Sequence, residues 1–217
     1  MSITTRITKL IAQRLPETRY TEFISLEEAQ PGTPTTIYLT FDDGPHIDRT
    51  PLLLDTLATL NLNATFFVLG TNMQQGKHLI RQAIEAGHSV GSHSWSHHKA
   101  DETGYAAWVE DITKARKELE DITGKVCRLF RPPYGALSPR KLLFLYNNDY
   151  RTVQWSMDTK DYSAKTPEQL RLWFEHATPK EGAILLMHDV KQNTASHFKD
   201  AYMPWLNITK SSAIPMD

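Results

Sequence analysis

Two aspartates stand side by side in TIYLTFDDGPHID (36–48), where an apolar run ends in Phe41 and Gly44 and Pro45 begin a turn. Adjacent carboxylates repel and resist burial, so Asp42 and Asp43 require water or a cation. Further along, His93 and His97 lie four residues apart in HSWSHH, a spacing at which two imidazoles can share one metal. Arg131 opens RPPYG, Asp158 and Asp161 lie in WSMDTKDY, and His188 and Asp189 close LLMHD. Two neutral imidazoles and one carboxylate make a three-ligand site with one position left for water, the form a catalytic zinc site takes. Such an ion lowers the pKa of water toward ~7 and polarises a carbonyl. One aspartate then serves as ligand, and its neighbour, diverging at the strand end, can face the water as a base.

Each group also has a plainer reading. An Asp-Gly pair after a strand is an ordinary turn. HSWSHH reads equally as a solvated His-rich turn, RPPYG as a stiff turn with a surface arginine, and His188 as a hydrogen-bonded core histidine. What separates the readings is where the surrounding elements put these residues.

Short apolar runs alternate with stretches of helical spacing. TIYLTF (36–41), ATFFVLG (64–70), HSVGS (88–92), VCRLF (126–130), YRTVQW (150–155), AILLM (183–187) and the C-terminal SSAIPM read as strands, about seven in all. Helical spacing covers 50–61, a stretch near 75–86 stopped by Gly87, and a run through Tyr105, Trp108, Val109, Ile112, Ala115, Leu119 and Ile122 ended by Gly124. Ser138 and Pro139 open another helix, and Thr166 with Gln169 forms a capping box for EQLRLWFEHA. Strand–helix alternation predicts a parallel sheet, open or closed into a barrel. The polar residues above each follow a strand, on the C-terminal rim where α/β folds build their sites. The segment VKQNTASHFKDAYMPWLN after His188 reads as short and irregular, leaving that part of the rim open.

The chain has 217 residues, 24 Lys and Arg against 25 Asp and Glu, and a formal net charge of −1. That balance excludes a strongly basic nucleic-acid-binding surface as a compositional feature. The single Cys127 excludes an internal disulfide and a multi-cysteine zinc site, and in VCRLF it reads as a small buried hydrophobe. No run is long and apolar enough to span a bilayer, and MSITTRITKLIAQRLPETRY lacks the apolar stretch of a signal peptide, which points to a cytoplasmic location. Ile3, Ile7, Leu10, Ile11 and Leu15 share one helical face, apart from Arg6, Lys9 and Arg14. A helix docking on the domain by that face is the first reading, and a basic amphipathic helix touching a membrane is the second. Residues 1–34 then form an extension packed on a catalytic domain of 35–217.

LTFDDGP, HSWSH, RPPYG, WSMDTKDY and LLMHD, in that order, resemble the five motifs of the polysaccharide deacetylases of carbohydrate esterase family 4. The resemblance implies an α/β fold, a single-domain distorted (β/α) barrel. It implies a divalent metal, most often zinc, with cobalt or nickel as alternatives, held by Asp43, His93 and His97. Asp42 is then the base that takes a proton from the attacking water, Arg131 positions it, and Asp158 holds the arginine from behind. The backbone N–H of Tyr134 stabilises the oxyanion, His188 protonates the departing amine, and Leu186 lines the acetyl pocket. Pro132, Trp155 and Tyr162 complete the substrate wall, and Trp95, Tyr134, Tyr162 and Trp205 are candidates to stack on sugar rings. The reaction implied is removal of N-acetyl groups from N-acetylglucosamine units of a glycan, with a chitin oligomer as one substrate. O-acetyl ester cleavage, as on xylan, is the alternative. A non-catalytic carbohydrate-binding module is a third reading, against which Asp42, Arg131 and His188 are all present. Three positions depart from the family pattern: Ser92 for the usual Asn, His98 for the usual Pro, offering a rival ligand, and Tyr162 for the usual Trp.

Overall fold

In a computed structural model, the protein is described at residues 3–17, 19–21, 34–99, 102–214 and 216. Strand β2 (Thr35–Asp42) is the centre of the sheet, its last six residues buried in succession. Burial without alternation is what a parallel strand covered on both faces requires. Around it the chain runs α1 (Ile3–Ala12), β1 (Tyr20–Thr21), β2, α2 (Thr50–Thr59), β3 (Ala64–Val68), α3 (Gly70–Glu85), β4 (Ser89–Ser92) and α4 (Tyr105–Thr123). It continues through β5 (Leu129–Phe130), α5 (Pro139–Asn147), β6 (Arg151–Val153), β7 (Met157–Asp158), α6 (Pro167–His176), β8 (Ala183–His188), α7 (Gln192–Tyr202) and β9 (Thr209–Ser211). The strands form one parallel, curled half-barrel sheet in the order β1-β6-β5-β4-β3-β2-β8-β7, with β9 paired to the start of β2.

Nine strands among the described residues exceed the seven expected because β1 and β7 are two residues each, too short to leave a periodic pattern. VCRLF keeps only Leu129–Phe130 as strand; the Cys127 N–H is taken instead by the Glu120 carboxylate at 3.0 Å. The C-terminal strand falls at Thr209–Ser211, ahead of most of SSAIPM, whose Pro215 lies outside the described residues. Gly124 ends α4 in the left-handed region (φ 66°), and the Ser138 hydroxyl accepts from the Lys141 N–H at α5. The Thr166 side chain makes no cap bond; Gln169 Oε1 accepts from the Lys165 N–H at 2.6 Å instead.

Period-two geometry divides the sheet. Ile37, Leu39 and Phe41 face the outer core with the helices, while Tyr38 joins Phe67, Leu129, Val153 and Ile184 on the inner face. Thr40 and Asp42 continue that inner column upward, in register with Leu186 and His188 of β8. The segment expected to leave an open rim instead forms α7, which buries Phe198 and Tyr202; Trp205, just beyond, is buried in the same core and is no sugar platform.

Helix α1 packs on α5, but by Thr8 and Ala12 beside the expected apolar stripe, of which Leu15 is half-buried, rather than by the centre of that stripe. Thr8 and Ala12 are buried, and the Thr8 hydroxyl donates to the Leu137 carbonyl at 3.2 Å. Ile7, Leu10 and Ile11 are exposed at 45, 59 and 37%. The Ile3 side chain lies outside the described residues. Strand β1 then joins the sheet beside β6, so the extension contributes to the sheet as well as packing on it. The stretch 22–33, which leads to the expected boundary at 34, lies outside the described residues. No helix among the described residues is long and apolar enough to cross a membrane.

Candidate active site

Asp42 ends β2 on the inner face, where Arg131 meets it. Arg131 is fully buried. Its Nη1 donates to Asp42 Oδ1 at 2.7 Å and to the Thr40 hydroxyl at 2.6 Å, its Nη2 to the Gln154 carbonyl at 3.0 Å, and its Nε to the Val153 carbonyl at 3.3 Å. The guanidinium lies 4.2 Å from the Phe67 ring centroid and 5.7 Å from that of Trp155. Every polar edge of this buried cation is satisfied, the condition under which such a charge is tolerated. Burial pushes the Asp42 carboxyl above the ordinary carboxylate value, with the Arg131 charge opposing the shift.

Asp43 turns away through the left-handed region (φ 75°). Its Oδ1 lies 3.7 Å from His93 Nε2 and 3.3 Å from His97 Nε2. One donor atom from each of Asp43, His93 and His97 falls within 4.8 Å of the others. The Arg131 carbonyl engages His93 Nδ1 at 2.8 Å, leaving Nε2 to face the cluster. Burial pushes the His93 imidazole down to about 3, so it is neutral. Asp43 Oδ1 is buried without a hydrogen-bond partner. A neutral imidazole nitrogen, a second imidazole and an unpartnered carboxylate oxygen converging on one point suit a divalent cation. The exposed His98 is outside this cluster.

The ligand-bearing loops are backbone-strained. His97 (φ 59°), Ser94 (φ 70°) and Tyr134 (φ 58°) join Asp43 in the left-handed region, each at a cost of roughly 1–3 kcal/mol. Behind Asp43 the chain lies flat on a buried carboxyl: a Cβ at Gly44 would stand 2.1 Å from Asp189 Oδ2. Asp189 accepts from the Thr50 hydroxyl at 2.6 Å, and that hydroxyl accepts from the His46 N–H at 2.8 Å. Burial, with the Asp43 and Asp42 charges, pushes the Asp189 carboxyl up to about 7.

On the other side of Asp42, His188 ends β8. Its Nδ1 is 2.8 Å from Asp161 Oδ1, while Asp161 Oδ2 accepts from the His188 N–H at 2.8 Å and from the Thr194 hydroxyl at 2.6 Å. Burial pulls the imidazole down, but the Asp161 hydrogen bond and charge, with the Asp42 and Asp43 charges, outweigh it, so the net direction is upward. The expected contact between Asp158 and Arg131 is not made. Asp158 accepts from the Lys160 N–H and the Tyr162 hydroxyl, while Arg131 is filled by Thr40, Asp42 and two carbonyls. Asp161, three residues on, is the carboxylate built into the site. Its signal was the second aspartate of DTKDY, but the spacing gave no means of ranking the two.

The proposed wall residues divide by exposure. Tyr134 (57% exposed) meets the His97 ring at a tilt of 56° with centroids 4.8 Å apart, and Tyr162 (49%) meets His188 edge-on at 5.6 Å. Leu186 and Pro132 are buried, and Trp155 is half-buried against Arg131. Trp95 is half-buried under the Lys114 ammonium, 3.6 Å from its ring centroid, in the loop's support rather than at its mouth.

The family profile for polysaccharide deacetylases matches residues 29–153, more than half the chain. The chain belongs to that family. It is 39% identical over 165 residues to the peptidoglycan-N-acetylglucosamine deacetylase PgdA of Listeria monocytogenes, across 74% of this chain and 34% of that protein. It is 36% identical over 157 residues to a chitooligosaccharide deacetylase of Azorhizobium caulinodans, across 71% of this chain and 74% of that one. The chain spans between a third and a half of the curated relatives it matches first. Its fold is similar to that of the Bc1960 peptidoglycan N-acetylglucosamine deacetylase, with a TM-score of 0.76 at 26% identity, covering 85% of this chain and 88% of that one. In this member of the family, the two residue groups flanking the Asp43–His93–His97 cluster, Asp42–Arg131 and His188–Asp161, are brought together from β2, β8 and the loops after β5 and β7.

Proposed function

We propose that the protein hydrolyses N-acetyl groups from N-acetylglucosamine units of a glycan, with residues 35–217 as the catalytic unit and Asp43, His93 and His97 holding a divalent cation, zinc first and cobalt or nickel as substitutes. The observation that carries the reading is a buried carboxylate–arginine pair and a carboxylate-backed imidazole flanking a three-donor cluster within 4.8 Å. The names of the relatives support an amide over an ester. When bound, the cation supplies a Lewis acid for the acetyl carbonyl and lowers the pKa of water.

Asp42 is the base. Its carboxyl, raised by burial, is closer to the pKa of an efficient proton acceptor at neutral pH than an exposed aspartate. Arg131 fixes one of its oxygens and leaves Oδ2, 3.7 Å from His93 Nε2, facing the cluster. His188 is the acid, its pKa raised by Asp161, delivering its proton from Nε2 to the departing amine. The Tyr134 backbone N–H stabilises the oxyanion, Leu186 lines the acetyl pocket, and Pro132, Trp155, Tyr134 and Tyr162 shape the wall around the sugar.

Acetate release from chitin oligomers, peptidoglycan fragments and acetylated xylan tests this, after chelation and again after zinc or cobalt is restored. Metal-dependent release from the N-acetylglucosamine substrates is expected. Release from xylan alone would make the protein an O-acetyl esterase, and release unaffected by chelation would overturn the cation's role.

A further inference from the structure

Three apolar residues of α1 stay exposed among the described residues, Ile7, Leu10 and Ile11, while Thr8 and Ala12 hold the helix to α5 and the Leu137 carbonyl. Exposed apolar residues in a row on one helix face mark a contact surface rather than scattered surface hydrophobes. The neighbouring α5 leaves Leu143 and Tyr146 exposed as well, at 56 and 40%.

Charge distinguishes among possible occupants. Arg6 and Lys9 are exposed on the same helix and Arg14 in the turn just after it, and no acidic residue occurs before Glu17. A chain with a net charge of −1 therefore concentrates three positive charges on this helix and the turn that follows it. Pairing two copies through this face would set basic edge against basic edge about a two-fold axis. An anionic lipid surface satisfies both features at once, taking the isoleucine and leucine side chains into the headgroup boundary and the cations at the phosphates.

Leu137, which anchors Thr8, lies three residues beyond Tyr134, whose ring meets that of His97, so α1 docks on the segment that carries this site residue. We propose that α1 is a docking helix for an anionic lipid surface. On the deacetylase reading above, on which this extension rests, the substrate is a glycan borne at that surface.

Co-sedimentation of the whole chain with vesicles of phosphatidylglycerol and phosphatidylcholine in equal parts, against phosphatidylcholine alone, tests the docking without any substrate. Binding to the anionic vesicles only is expected, weakening with salt. Arg6→Glu and Lys9→Glu should each lower the partition constant at least about fivefold, the equivalent of one basic residue at such a surface. Leu10→Glu with Ile11→Glu should abolish binding while leaving the unfolding midpoint and acetate release from soluble oligomers unchanged. No binding to anionic vesicles would overturn the proposal, and acetate release in the same preparation would show that the deacetylase reading stands without it. A large fall in unfolding midpoint in the double variant would overturn it too, because the face would then be covered within the chain. A concentration-dependent dimer lost in that variant would assign the face to a second copy instead.

Discussion

Asp161→Asn isolates the contribution of the carboxylate behind His188. In the wild type the imidazole is 13% exposed and its Nδ1 is 2.8 Å from a fully buried carboxylate oxygen. Burial pulls its pKa down and Asp161 reverses this. A hydrogen bond to a charged partner contributes roughly 1.5–3 kcal/mol, which corresponds to about one to two pKa units. The amide removes that stabilisation while burial remains, so the imidazole pKa should fall from its wild-type position, with the Asp42 and Asp43 charges still holding it up in part. The shape of the site makes the loss hard to repair. Asp161 Oδ2 also accepts from the His188 N–H and the Thr194 hydroxyl. If the amide nitrogen takes that place, a buried backbone donor faces another donor, at about 1–3 kcal/mol of stability. If the nitrogen faces Nδ1 instead, it favours the neutral tautomer with the proton on Nε2. A bound cation would lower the imidazole pKa in both proteins and leave the difference between them. Measured as kcat against pH on N-acetylglucosamine oligomers, the alkaline limb should move down by about one to two units, with a roughly ten- to hundredfold loss above it. Well below the limb, where His188 is protonated in both, the loss should shrink. An unchanged alkaline limb would refute the acid role of His188, and a uniform loss at every pH would make Asp161 a structural support only.

Asp158→Asn is the matched control: touching only Lys160 N–H and the Tyr162 hydroxyl, it should leave kcat within about twofold, the scale of a surface change. His97→Ala should remove one of three cation donors, so that zinc content measured after dialysis falls well below stoichiometric and acetate release is lost with it. Gly44→Ala places a Cβ 2.1 Å from the Asp189 carboxylate, and denaturant unfolding should show a loss of about 1–3 kcal/mol, the cost of overpacking. The same carboxyl gives the metal-free protein a pH signature. Its folded value near 7 lies above the ordinary 3.8, so the folded state keeps a proton that the unfolded chain has released. Stability is therefore fully present below about pH 4 and declines as pH rises to about 7, by on the order of 4 kcal/mol. Asp189→Asn should flatten that decline in urea titrations across the window.

The chemistry-bearing motifs could be read from the sequence because each follows an apolar run at a sheet's C-terminal rim, a placement that chain order alone reveals. The left-handed conformations that aim Asp43, His97 and Tyr134 could not, since none of the three positions is itself a glycine or asparagine and the strain is held by the surrounding packing. Side-chain pairing was equally hidden. Asp158 and Asp161 are both acidic and both follow β6, and only the fold shows that Asp161 reaches β8 while Arg131 is already filled by Thr40 and two carbonyls. The docking face of α1 has the same origin. Hydrophobic periodicity identifies a stripe that must be covered, and the usual inference is that the domain covers it. Here the small face, Thr8 and Ala12, fits closely against α5 and reaches the Leu137 carbonyl, which the isoleucine face could not do. A sequence pattern thus identifies which side chains need a partner, whereas packing volume and available backbone acceptors determine which face the protein itself supplies. In α1 that leaves Ile7, Leu10 and Ile11 exposed among the described residues, the surface proposed above to meet an anionic lipid.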